Sequence, residues 1–347
     1  MKKIATLILL LISISHFGFC QSSIRDQVVE MSEVLGFIYG QKIFLESIKE
    51  NFPELRNDAT RAELKWELAF GKVEKELERR LREILEDSYA DFETLSKQKL
   101  SEVATFDNIS RSDAISYIET VNRRTEGDIE EQFKARVLMY HPDFIQYPHQ
   151  ELSRGYRNEF KSSGYEPKSK GIKLRIQYPA SWKEEEGVRP NILFKAISEN
   201  GEGTTSLNIL IKDIAAELKT EMTDDEWKYF ITDEGNRELA DMIFTESALK
   251  EMMSELGLIN PNFSEYSRLV IDGNPGAKIS ISAKIQRLEF EFPIYSNPYV
   301  IISKNYLVIA TFATMGASVD EAKTEFEKFK PAINLMMNSM AILNRYE

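Results

Sequence analysis

Leu269-Val-Ile-Asp-Gly-Asn-Pro-Gly-Ala-Lys-Ile-Ser-Ile-Ser-Ala-Lys-Ile285 and, a little further on, Tyr299-Val-Ile-Ile-Ser-Lys-Asn-Tyr-Leu-Val-Ile-Ala-Thr-Phe-Ala-Thr314 form the densest β-branched and aromatic run in the chain. That composition predicts adjacent antiparallel strands. Ile279, Ile281, Ala283 and Ile285 alternate with Lys278, Ser280, Ser282 and Lys284, the pattern of a strand with one buried face and one wetter face. After Arg287 the apolar phase moves to Leu288, Phe290, Phe292 and Ile294, which implies a bulge or turn near Gln286–Arg287. Asp272-Gly273 and Asn274-Pro275-Gly276 read as a turn cluster, and Lys304-Asn305 as a tight connection. Tyr306 to Phe312 is apolar almost throughout, as expected of a central strand covered on both faces.

Upstream of this run, residues 164–211 add three strands: Gly171–Tyr178 with Ile172, Leu174 and Ile176 on one face, Ile192–Ile197, and Leu207–Ile211. Helices are expected over Asp224–Phe230 and, as one piece, over Asn236–Leu256, with Leu239, Ile243, Ala248 and Met252 inside. A last helix starts at Ser318, capped with Glu321 three residues on, and carries Ala322, Phe326, Phe329, Ile333, Met336 and Met340. Pro331 should kink or restart it, because proline lacks the N–H and crowds the preceding turn.

The amino-terminal half reads as helix throughout. Trp66, Phe70, Val73, Leu77, Leu81 and Ile84 recur at three and four, with Glu and Lys/Arg on the outer face. Ile24, Val28, Met31, Leu35 and Ile38 do the same before Pro53, and Ser110 with Asp113 has the spacing of a capping box. The expected fold class is therefore α+β: an amino-terminal helical bundle followed by an antiparallel sheet flanked by helices. The expected division is a signal peptide at 1–20, a helical domain with its linker at 21–150, and an α/β domain at 165–347.

Lys2 and Lys3 before the apolar run Ile4–Ile14, with Gly18 and Cys20 ahead of Gln21, have the form of a secretory signal cleaved after Cys20. Lipidation at Cys20 is the lesser alternative, because bulky Phe19 precedes it. Export to the periplasm or beyond is the expected address, with no membrane span once the signal is removed. Cys20 is the only cysteine, so the processed chain offers no disulfide, thiolate metal site or cysteine nucleophile. The formal charge of −12 becomes −14 without Lys2 and Lys3, which disfavours nucleic acid and anionic membranes as partners.

Motifs of known chemistry are missing from the sequence: there is no Gly-x-Ser-x-Gly, no Walker-type phosphate loop and no His-Glu-x-x-His. His141 and His149 flank Pro142 and Pro148 in a tyrosine-rich stretch that the prolines should keep extended, at a spacing that fits no standard metal site. Glu289 and Glu291 share a strand face and could pair in carboxylate chemistry, but an exposed face balanced by Arg287 explains them better. Glu184-Glu185-Glu186 reads as a solvated loop. Trp182 and Arg189 are the residues singled out for partner recognition, an aromatic and a guanidinium in one loop after a strand, although a lid on the core is the more expected role for Trp182.

The carboxy-terminal half carries a resemblance. A strand ending Tyr178-Pro179-x-x-Trp182 is followed by two strands, a pair of helices, a hairpin-rich antiparallel sheet, and a closing helix with Phe326, Phe329, Ser339 and Met340. Over about residues 165–345 this resembles the PsbP-like family of photosystem II extrinsic proteins and its Ran-binding relatives. The resemblance implies an α/β/α sandwich, and an accessory or assembly factor that binds proteins rather than a common reaction. No histidine follows His149, so no histidine-based metal site of relatives carries over. The function expected is that of an exported, non-catalytic accessory protein of the bacterial cell envelope that binds another envelope or secreted protein, with no cofactor or metal. The alternative is a module for a small apolar ligand held between sheet and helices or between domains.

Overall fold

The structure, a computed structural model, describes residues 24–103, 109–185, 187, 192–215, 222–254, 257–287 and 289–346. Cys20 and Arg189 lie outside the described residues, as does the segment read as a signal. Cys20–Tyr156 form one compact unit, and the chain from Arg157 to Glu347 belongs to another.

In the first unit, α1 (Ile24–Asn51) and α2 (Arg56–Leu85) are antiparallel. The face of α2 that reads as apolar in sequence is the one that is buried, including Trp66, Phe70, Val73, Leu77 and Leu81. Polar clamps run along the α1–α2 seam. Lys42 reaches Glu67 at 2.8 Å and Glu74 at 2.5 Å, Lys49 reaches Glu63 at 2.9 Å, and Tyr39 donates to Glu78 at 2.6 Å. Gly36 and Gly40 do not mark a close helix approach, because a Cβ at either would meet nothing within 4 Å.

After α3 (Tyr89–Val103), α4 (Arg111–Thr125) opens with the expected capping box between Ser110 and Asp113. Tyr117 and Arg124 of α4 both donate to the side-chain oxygen of buried Gln41 on α1. Burial pushes the Tyr117 phenol up to about 12, so it serves that bond as a neutral donor.

The stretch expected to be extended is folded. α5 (Glu131–Met139) leads into two short helices, α6 (Pro142–Gln146) and α7 (His149–Ser153). Pro142 sits at the first helical position, where a missing N–H costs nothing, and the His141 imidazole caps α6 by accepting from the Asp143 amide at 3.2 Å. Asp143 is in turn held by Lys72 at 2.8 Å and Arg154 at 3.0 Å, and His141 stacks on Phe144 with ring centres 4.1 Å apart.

Burial pushes the His141 imidazole down to about 4, with Lys72 and Arg154 opposing its charge and Asp143 favouring it. Between the ordinary histidine value of about 6.5 and this lowered one, the unfolded chain binds the proton and the folded chain does not. Stability is therefore complete above pH 6.5 and falls as pH drops from 6.5 towards 4. Urea titrations across that range should show this slope, and His141→Asn, which keeps a cap acceptor that does not titrate, should flatten it.

The second unit holds two antiparallel sheets among the described residues. β1 (Arg157–Lys161), β2 (Leu174–Pro179) and β10 (Ala341–Ile342) form one, with β2 in the middle. The other contains β3 (Lys183–Glu185), β4 (Ile192–Ile197), β5 (Thr205–Asp213), β6 (Ile259–Ile271), β7 (Asn274–Arg287), β8 (Phe290–Ser303) and β9 (Tyr306–Met315). Its order is β3-β4-β5-β9-β8-β7-β6, so β9 is central, as its continuous apolar run predicts.

Ile279, Ile281, Ala283 and Ile285 are buried, and Asp272-Gly273 alone makes the β6–β7 turn, with both residues at positive φ and Ile271 paired to Asn274. Asn274, Pro275 and Gly276 belong to the strand rather than to the turn. Lys304-Asn305 closes the β8–β9 hairpin, as expected, with Ser303 paired to Tyr306.

Helices α8 (Asp224–Phe230), α9 (Asp233–Ile243) and α10 (Glu246–Ser254) precede β6. The single helix expected over 236–256 is two, because Thr245 turns its hydroxyl onto the Ala248 amide and starts α10 afresh. Leu239, Ile243, Phe244, Leu249 and Met252 fill the space against Ile279, Ile281, Val300 and Ile309.

α11 (Val319–Ser339) covers the other face, with Phe326 against Tyr295 at 5.0 Å. It passes through Pro331 without restarting, because Phe326, Phe329, Ile333 and Met336 on both sides of the proline are buried in one row. Ser339 at its end accepts from the Gln177 amide of β2 at 2.9 Å.

Candidate binding cleft

Trp182 is 3% exposed and lies edge-on to Phe329 of α11, ring centres 5.9 Å apart. Its place is the core, where it lids the closing helix. It does not stand on the surface for a partner: of the two roles expected for this residue, the lid on the core is the one found. Packing against Phe329 explains why: a large ring next to a proline turn gains more from burial than from solvent.

Three of the acidic residues have partners, and Glu289 lies in the β7–β8 turn rather than on a strand face with Glu291. Glu291 pairs with Lys284 at 2.9 Å, Glu184 accepts from the Tyr178 hydroxyl at 3.0 Å, and Glu185 holds the buried Lys195 ammonium at 2.5 Å. Glu291 is thus balanced by Lys284 of the neighbouring strand.

Four buried polar atoms of the large sheet have no hydrogen-bond partner: Ser206 Oγ and Asn208 Oδ1 on β5, and Tyr295 Oη and Asn297 Oδ1 on β8. Register separates them. Ser206 pairs through Ala313 with Ser296, whereas Tyr295 pairs through Thr314 with Thr205. Directly paired residues share a face, so the β5 atoms and the β8 atoms point to opposite sides of the sheet and do not converge on one site.

The first unit does contain a convergent arrangement. α2 and α4 run parallel, with Arg111 reaching Glu54 at 3.4 Å where both begin. Between them lies a cleft of about 290 Å³ lined by Leu55, Asp58, Arg61, Lys65, Ile115, Ile118, Glu119 and Asn122. Leu55 and Ile118 are buried and Ile115 is half-buried, which gives an apolar floor. The four charged residues are exposed and stand around it. Arg61 meets Asp58 only at 3.9 Å, and Lys65 and Glu119 form no ion pair among the described residues. Asn122 donates to the Ile118 carbonyl at 3.0 Å, and its own Oδ1 is buried without a hydrogen-bond partner.

Leu64 and Leu68 stand on the exposed side of α2, 59% and 86% exposed, outside the lining of the cleft. At about 100° per residue, both lie roughly opposite Trp66 on the α2 cylinder, and Leu68 lies about 20° from Arg61. An isolated exposed leucine is ordinary, but two, one turn apart beside a cleft with unpaired charges, make a surface suited to contact. Sequence reasoning followed the buried stripe of α2 and passed over these two. The signal that could have found them is their offset from that stripe by half a turn. The cleft has an apolar floor and charges of both signs around it.

No family model matches the chain, and no curated protein matches it. Solved structures similar to it include the following two. One is the solution structure of cyanobacterial PsbP from Synechocystis sp. PCC 6803, at 11% identity and a TM-score of 0.29, covering 54% of this chain and 92% of that one. The other is LpqN of Mycobacterium tuberculosis, described as involved in cell envelope biogenesis, at 10% identity and a TM-score of 0.28, covering 55% of this chain and 93% of that one. A PsbP-like fold in about half of the chain is the extent of this likeness, and it carries no argument about function.

Proposed function

We propose that the protein is an exported, non-catalytic interaction protein of the cell envelope that binds a segment of another protein in the α2–α4 cleft. The observation that carries this is the pair Leu64 and Leu68, exposed one turn apart on the helix that also walls a cleft whose charges form few ion pairs among the described residues. Covering a leucine side chain contributes about 1.5–3 kcal/mol, so these two residues alone could account for much of a moderate affinity. The export reading of Lys2 to Gln21 supports the envelope as the place of action.

Leu68→Asp tests the proposal, because the residue faces away from the bundle core. The variant should fold like the parent and release a protein that co-purifies with it, weakening the complex by about tenfold or more. Retention of that protein at parental affinity would exclude the cleft as its seat.

A further inference from the structure

We propose that the α2–α4 cleft captures the α-carboxylate of a terminal apolar residue, taken as the carboxyl terminus of the partner protein. The proposal rests on the reading that this cleft is the binding surface, and it adds the chemistry of the occupant.

Arg61 and Lys65 lie one turn apart on the α2 wall, about 6 Å along the axis. Lys65 has no ion-pair partner among the described residues, and Arg61 has only the 3.9 Å approach of Asp58. Two cations so placed suit a carboxylate, and the guanidinium can grip both of its oxygens. Asn122 on the facing helix offers a carbonyl oxygen with no donor. Turning that amide into the cleft would bring the oxygen to the N–H of the terminal residue, in exchange for its bond to the Ile118 carbonyl. An acceptor group and an N–H donor side by side are what a chain terminus presents, and an internal segment does not offer the acid.

The floor of Leu55, Ile115 and Ile118 then receives the terminal side chain. A volume of about 290 Å³ suits one or two residues. Asp58 and Glu119 balance the two cations, so the lining is neutral overall. They favour a positive group next to the carboxylate: a lysine or arginine just before the terminus, or the ammonium of a free amino acid.

The test is calorimetric titration of the intact chain with acetyl-Ala-Lys-Leu as the free acid, with the same peptide as its carboxyl-terminal amide, and with free leucine. The free acid should bind, and the amide should bind about tenfold more weakly or worse, as the loss of a charge-assisted contact implies. Lys65→Gln and Arg61→Gln should each weaken the acid and leave the amide unchanged. Both side chains are solvent-exposed, so circular dichroism should confirm parental folding. Free leucine binding as tightly as the tripeptide acid would support the carboxylate chemistry with a free amino acid as its source.

Equal binding of acid and amide, or no binding of any probe, would overturn the proposal. If the probes fail while Leu68→Asp still releases a partner, the carboxylate chemistry alone falls. If Leu68→Asp releases nothing either, the cleft reading falls with it.

Discussion

Replacing Asn236 by leucine is expected to destabilise the α/β unit by about 3–4 kcal/mol, one of the two largest effects of any single change considered. Asn236 is buried near the start of α9 and makes three hydrogen bonds. It donates to the Phe230 carbonyl at 2.6 Å and to the Lys304 carbonyl at 2.9 Å, and accepts from the Lys304 amide at 2.5 Å. Lys304 is at positive φ in the β8–β9 turn, a conformation that costs energy in a non-glycine residue. The asparagine thus fixes the α8–α9 junction to the tip of the hairpin holding the central strand. Leucine would leave two carbonyls and one amide without partners, at about 1–3 kcal/mol for each buried group. The melting temperature should fall by about 6–12 °C. Asn236→Asp, which keeps the acceptor and removes both donors, should fall between. A loss below about 1 kcal/mol for leucine would show that water reaches the turn and that the bridge is dispensable.

The second large effect is expected at Trp66. Its side chain is fully buried between Phe37, at 5.9 Å between ring centres, and Phe70, at 4.7 Å. Phe37 stacks in turn on Phe133 of α5 at 4.4 Å, so the indole is central to an aromatic chain joining α1, α2 and α5. Trp66→Ala should cost about 3–5 kcal/mol through lost contacts and an unfilled cavity. Its indole N–H is buried without a partner. Trp66→Phe removes that unsatisfied donor together with some volume, so it should cost much less than alanine. Urea unfolding followed by far-UV circular dichroism can rank the two. Equal losses would mean that the indole N–H is satisfied by bound water. Because α2 forms one wall of the cleft, the alanine variant should also lose partner binding, whereas Leu68→Asp should lose binding while keeping stability.

These contrasts indicate how much the chain discloses before its structure is known. The β7 alternation, the α2 stripe and the Ser110–Asp113 box are local patterns whose period or spacing equals the geometry they produce, and each is found in place. β6 was less legible. It is an edge strand with most side chains half-buried or exposed, and its pairing to β7 shifts near Asn260 and Glu265, both at positive φ. An alternation broken twice does not read as a strand. The His141–Gln150 segment misled through its prolines, which forbid helix in the residue before them yet suit the first turn of a new one.

For Trp182 two roles were open, for another reason. Whether an aromatic after a proline turn meets solvent or a helix depends on Phe329, nearly 150 residues away, and no local pattern records that contact. The cleft is a product of the same kind. Arg61, Lys65 and Asn122 come together only because α2 and α4 run side by side, and helical period says nothing of which helix lies next to which. Leu64 and Leu68 were visible as apolar residues on the charged face of α2, and the fold gives that misplacement its meaning.

The central claim, that the cleft and the exposed leucines of α2 are the seat of a protein partner, is tested most directly by native mass spectrometry. The intact chain and its Leu68→Asp variant would be purified gently from the envelope fraction of the producing cell and compared. The account predicts a protein-sized mass on the parent chain that is absent, or reduced about tenfold, on the variant. A bare parent chain, or a partner retained equally by both, would contradict it.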